Sequence, residues 1–235
     1  MSQPIDIFKL NTNLLSIDSI IENKNNKTSK SGKVKYNNQP LKISLPMLMT
    51  KYGISKFTDQ KMVDSYSLNI ELNNNVYNKF VEIEQKLIDL SFKHSEALIG
   101  VKLDEEDKNL IERKYKTCIK YSQHDLQKEQ PMLRPKVYCK SEPNKPLNFW
   151  PLEIYEKQPN VVKPVLVFPT AENTTDPCRV LNKNTEVSCI IDASTIWGSS
   201  LGCGNTLKVV QIGYIQSQAI KNECLIVFDA EDFNI

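Results

Sequence analysis

The sequence predicts a mainly β protein with a helical insertion, an α+β chain. Three observations carry this. Short runs that are apolar or alternate polar with apolar recur in both halves of the chain. Between them, residues 76–98 switch to helical spacing. Twelve prolines punctuate the rest, which suits loops and strand edges rather than a helical bundle.

In chain order, residues 1–19 hold Ile5, Ile7, Phe8, Leu14, Leu15 and Ile17, enough for one or two short N-terminal strands. Residues 23–39 form a polar stretch with five lysines and one glycine. It reads as a basic loop or hairpin arm, either solvated or touching phosphates. Residues 41–49 begin with alternation and then meet Pro46, the mark of an edge strand or bulge. Residues 52–57, with Gly53, read as a turn. Residues 66–72 place Leu68, Ile70 and Leu72 on one side of a half-buried strand, which Asn73 to Asn75 closes. Val76, Phe80, Ile83, Leu87, Leu90 and Ala97 then share one helical face, and Gly100 is a stop. Asp104 is suited to cap a second helix running to about Lys120, with Glu105, Glu106 and Asp107 in its first turn. The insertion thus spans 76–120. From Arg134 onward the pattern is β, with strands at 136–140, 147–155, 161–168, 187–191, 207–215 and 225–228.

The composition bounds the chemistry. At 235 residues, 40% hydrophobic and 25% charged, the chain can bury a sizeable core. It has no apolar run near the roughly 18 residues of a membrane span, and MSQPIDIFKL lacks a secretion pattern. Three arginines leave 27 lysines among the 30 basic residues, a bias that AT-rich codons or a lysine surface would both produce. Six cysteines are scattered without a CxxC pair, which argues against a zinc ribbon and for reduced thiols, with Cys189 in the core. His94 and His124 have no partner at metal spacing. No GxSxG, HExxH or phosphate-loop pattern occurs, and GSSLGCG does not match the dinucleotide fingerprint. Neither an enzyme, a metal nor a cofactor is expected.

The densest signal is residues 187–215, two strands joined by a connection bearing Trp197, Gly198, Gly202 and Gly204. An aromatic on a mobile loop, followed by a strand with Lys208 and Tyr214, is what stacking on unpaired bases requires. It is also what a β-sandwich edge looks like. On the first reading Trp197 faces a solvent groove while Ile190 and Val209 face the core. Elsewhere Lys136 and Lys140 flank Tyr138 just after Arg134, and Trp150 lies near Lys145. The candidate nucleic-acid-binding residues are therefore Trp197, Tyr214, Tyr138 and Trp150 for stacking, with Lys136, Lys140, Lys208 and Arg134 for phosphates. The ending DAEDFNI, residues 229–235, is a short acidic-aromatic tail that can dock on partners or simply be solvated.

The order of LKISLPML, YSLNIEL, a helical segment, LRPKVYCK and VSCIIDASTIW leading to LKVVQIGYI resembles the single-stranded DNA-binding proteins of the nucleocytoplasmic large DNA viruses. The resemblance covers roughly residues 40 to 228. It implies an OB-fold-like five-stranded barrel with extra N-terminal strands, one domain over 1–228, and the tail beyond it. It further implies sequence-independent binding of single-stranded DNA in viral replication, recombination or repair. Replication proteins at the tail, a homo-oligomer without membrane contact, and a place in the host cytoplasm or the virion go with it. The alternative is a structural or virion-associated β-sandwich protein without nucleic-acid binding.

Overall fold

The computed structural model describes residues 3–23, 26–60, 64–121, 130–139, 150–158, 161–172 and 176–215. The strands in chain order are Ile5–Asp6 (β1), Leu15–Asn23 (β2), Asn26–Tyr36 (β3), Gln39–Pro40 (β4), Lys42–Ser44 (β5), Leu48–Thr50 (β6), Ile54–Thr58 (β7) and Asp64–Leu68 (β8). There follow Ile70–Glu71 (β9), Ile119–Tyr121 (β10), Pro131–Leu133 (β11), Lys136–Val137 (β12), Glu153–Lys157 (β13), Val165–Phe168 (β14), Thr185–Ser199 (β15) and Gly202–Ile215 (β16). The α-helices are Asn74–Lys93 (α1), Ser95–Ile99 (α2) and Lys108–Lys114 (α3). The protein is mainly β with few helices, as the sequence predicts.

The spine is the β15–β16 hairpin, closed by a two-residue turn at Ser200 and Leu201. Strands of 15 and 14 residues are too long for one neighbour each. Along its outer edge β15 pairs in turn with β6, β5 and β3, while β16 pairs with β12 and β13. The sheet path runs β1-β5-β15-β16-β12-β8-β7, and β9, β10 and β11 make a separate small sheet. No closed barrel is found among the described strands; they trace a larger, open sheet, where a five-stranded barrel was expected.

The helices cover one face of this sheet. The Asn73 side chain caps α1 by accepting from the Val76 amide at 3.0 Å. The stripe Val76, Phe80, Ile83 and Leu87 is buried, and Phe80, Ile83 and Leu87 meet Ile43, Ala193 and Leu207 of the sheet. Gly100 ends α2 in the left-handed conformation, φ 79°. The second helix is shorter than expected. A 3-10 turn at Glu105–Asp107 leads into α3, the Asp104 side chain makes no capping bond, and Tyr115 turns extended to bridge Cys203.

Several local expectations are corrected. The basic stretch 23–39 is the hairpin arm rather than the loop of the two readings: it is largely strand β3, paired with β2, with Gly32 and Val34 buried and Lys33 and Lys35 on the outer side. Pro46 separates β5 from β6; β5 is flanked by β1 and β15, while β6 pairs only with β15 among the described strands and so lies at an edge, as expected. The turn expected over 52–57 is confined to residues 51–53, with Gly53 at φ 64°, after which β7 begins. The strand at 66–72 breaks at Asn69 into β8 and β9, which join different sheets. The 225–228 strand and the 229–235 tail lie outside the described residues.

The glycines of the hairpin serve close packing rather than looseness. A Cβ on Gly198 would lie 2.4 Å from the Leu98 carbonyl oxygen of α2, a backbone atom that cannot swing away. Gly198→Ala is expected to cost at least about 1–3 kcal/mol, measured by urea or thermal unfolding. Gly213→Ala, whose Cβ would meet nothing closer than 3.9 Å, is the control and should unfold like the parent.

Candidate nucleic-acid interface

Residues paired across a ladder point to the same face, so register shows what the face left uncovered by the described helices (the uncovered face) presents. One row crosses six strands: Lys42 of β5, Asp192 of β15, Lys208 of β16, Lys136 of β12, Ser67 of β8 and Ser55 of β7. Neighbouring strands lie about 4.8 Å apart, so the row is roughly 24 Å long. A second row holds Ile21, Ser31, Trp197 and Gly204. Between them Lys33 pairs with Thr195, which pairs with Thr206. The helix-covered face takes Ile43, Ile191, Ala193, Ile196, Leu207 and Val209, all buried.

In or beside these rows, three aromatic side chains among the described residues, Trp197, Tyr138 and Phe57, stand on the uncovered face. Trp197 is half-buried and covers Gly204: its Cζ2 and Nε1 lie 3.3 Å from where a Gly204 Cβ would be. It is not among the side chains packed against the core. Tyr138 follows Lys136 at the next position on that side, and the Lys208 ammonium sits 4.8 Å from its ring centroid. Phe57 of β7, opposite Ser65, is 67% exposed. Arg134, Lys136 and Tyr138 are exposed and alternate with buried Leu133, Pro135 and Val137.

The charges on this face are predominantly positive. Among the described residues, no carboxylate forms an ion pair with Lys33, Lys42, Lys136 or Lys208. Asp192, the acid within the row, accepts the Ser194 amide at 2.9 Å and so serves the bulge beside it. Farther along β16 the face changes character. Tyr155 pairs with Gly213, and its hydroxyl and the Gln211 amide both donate to Glu153. A carboxylate there sets the limit of the basic path.

The sequence-predicted residues divide. Trp197, Tyr138, Lys136, Lys208 and Arg134 come together on or beside this face. Trp197 lies inside β15, not on a mobile loop, because the turn occupies only Ser200 and Leu201. Trp150 is 3% exposed, edge-on to Tyr66 at 4.8 Å and Phe168 at 5.7 Å; it is a core residue, with no ring face for a base. Tyr214 pairs with Val187 on the core side and packs against the core. Burial and the Glu156 carboxylate that accepts its hydroxyl push its pKa up to about 12. It points away from Lys208 because the Gln211-to-Val209 register shift inserts Val210 and reverses the alternation. A second shift, with Ala193 and Ser194 both buried, turns Ile190 to the Trp197 side, while Val209 faces the core as expected. Lys140 lies outside the described residues.

Residues that sequence reasoning missed include Phe57, Lys42 and the serines of β7 and β8, while Lys33 belongs to the basic stretch 23–39 already read as a possible phosphate arm. The sole signal of the missed residues is alternation in strands that Gly53 and the lysine-rich stretch disguise. The five described cysteines are free, and burial pushes the Cys189 thiol up to about 12, so it stays neutral in the core. No group of His, Cys, Asp and Glu suited to a metal occurs among the described residues, and no helix there is long and apolar enough to cross a membrane. No protein-family model and no curated protein matches this chain.

Proposed function

We propose that this protein binds single-stranded DNA without sequence preference, along the uncovered face of its sheet. One observation supports the reading above the others. Strand register aligns Trp197 and Phe57 with Lys33, Lys42, Lys136 and Lys208 on the same side, and Lys208 places its ammonium over the Tyr138 ring. Rings stack on bases of any identity, and lysines follow the phosphates. The reading needs an open face rather than the closed OB-fold barrel of the resemblance. A role in viral DNA replication, recombination or repair, partners at the C-terminal tail, and the absence of an enzymatic step belong to the same proposal.

Fluorescence anisotropy with labelled oligo(dT) tests it. Binding is expected at micromolar protein in low salt, with an affinity that falls steeply as salt rises. Trp197→Ala should weaken it by roughly five- to a hundredfold, the equivalent of about 1–3 kcal/mol of stacking. No binding at low salt would end the proposal, and parental affinity in Trp197→Ala would remove that ring from the site.

A second reading, a structural assembly protein, has its own support. Val162 is 93% exposed, Val165 and Leu166 are also exposed, and β14 pairs only with β13 among the described strands. An apolar strand edge is suited to recruit another strand. Concentration-dependent oligomers together with no affinity for oligo(dT) would favour it.

A further inference from the structure

We propose that the cleft between β7–β8 and the segment from Arg134 to Tyr138 holds one nucleotide unit of the bound strand, its base against Phe57 and Tyr138 and its phosphate on Arg134 and Lys136. This rests on the single-strand reading and gives that reading a defined anchoring point. The cleft is open and about 480 Å³ in volume, within the range of small-ligand sites.

Its lining separates into the parts a nucleotide needs. Phe57 and Tyr138 are its exposed rings. A phenyl ring left 67% exposed on a regular strand pair has apolar area to gain from a stacking partner. The floor is made of Ser55, Ser65 and Ser67, with Ser55 paired to Ser67 and Ser67 paired to Lys136. Side chains this small leave room for a planar group, and each hydroxyl can donate to a phosphate or a base edge. Arg134 and Lys136, two exposed cations on one side of their segment, supply the charge.

The one carboxylate among the described lining residues, Asp64, does not oppose an anion. Lys56 bridges it at 2.8 Å and the Thr58 hydroxyl donates to it at 2.8 Å. The Lys56 hydrogen bond holds its carboxyl below the usual range, so it stays ionised but paired. The location also fits. Lys136 is the next residue in the row after Lys208, and β7 is the last strand of the sheet path. A strand crossing the face from Trp197 past Lys208 therefore reaches the cleft at the sheet edge.

The test combines affinity with position. Full-length protein is titrated with oligo(dT) in which thymidines are replaced by photoreactive 5-iododeoxyuridine, and crosslinked peptides are mapped by mass spectrometry. Crosslinks at Phe57 or Tyr138 are expected, and Phe57→Ala should bind about tenfold more weakly while melting like the parent, since this ring is not part of the core. Crosslinks confined to other peptides, or parental affinity in Phe57→Ala, overturn the cleft and leave the single-strand reading standing. Failure of the parent protein to bind oligo(dT) overturns both.

Discussion

Reversing two charges, Lys136→Glu with Lys208→Glu, is expected to lower oligo(dT) affinity on the order of a hundredfold at low salt. The two residues are paired neighbours on β12 and β16, about 4.8 Å apart between strands. Two like charges that close repel each other, and a phosphate lying across them relieves the repulsion. Lys208 also sits over Tyr138, so its reversal disturbs the ring that a base would stack on. The neutral pair Lys136→Gln with Lys208→Gln separates these effects. Removing one lysine–phosphate interaction should reduce the slope of log K against log salt by about 0.7, hence by about 1.4 for the pair. Lys93→Gln is the control, because Lys93 ends α1 on the opposite, helix-covered side. Neither site is buried, so thermal melting should be unchanged. An unaltered salt slope would show that phosphates do not cross this row.

Trp150→Ala is expected to have the opposite signature: a large loss of stability without a specific loss of binding. The indole is 3% exposed and wedged between Tyr66 and Phe168. Removing a buried aromatic of this size costs about 3–5 kcal/mol. For a chain of this length that corresponds to a melting temperature lower by roughly 10 °C. The fraction that stays folded should bind oligo(dT) within about twofold of the parent. Circular dichroism melting together with anisotropy below the transition measures both. Normal melting with impaired binding would return Trp150 to the interface.

These two experiments turn on the same difficulty in the sequence. Trp150 and Trp197 are both aromatics near lysines, and local pattern treats them alike. The fold separates them by ladder position. Trp150 packs where β8 and β14 converge, whereas Trp197 sits opposite a glycine whose missing side chain leaves room for the indole. Tyr214 and Lys208 show the same limit. Six residues apart on one strand, they share a face by simple alternation, and one inserted residue, Val210, puts them on opposite faces. A bulge leaves no compositional mark strong enough to read in advance.

By itself the sequence determined the β-rich class, the amphipathic stripe of α1, the stop at Gly100, the presence of two strands within residues 187–215 and the buried Cys189, but not the length of that hairpin. Each follows from local spacing and backbone preference, which act within a few residues. Only the tertiary structure decided that the sheet stays open among the described strands, that the hairpin glycines accommodate a helix backbone, and that Phe57, Tyr138, Trp197 and a row of lysines share one face. The reason is physical: which side of a sheet a residue faces depends on register, register depends on partners distant in sequence, and a shift of one position reverses it.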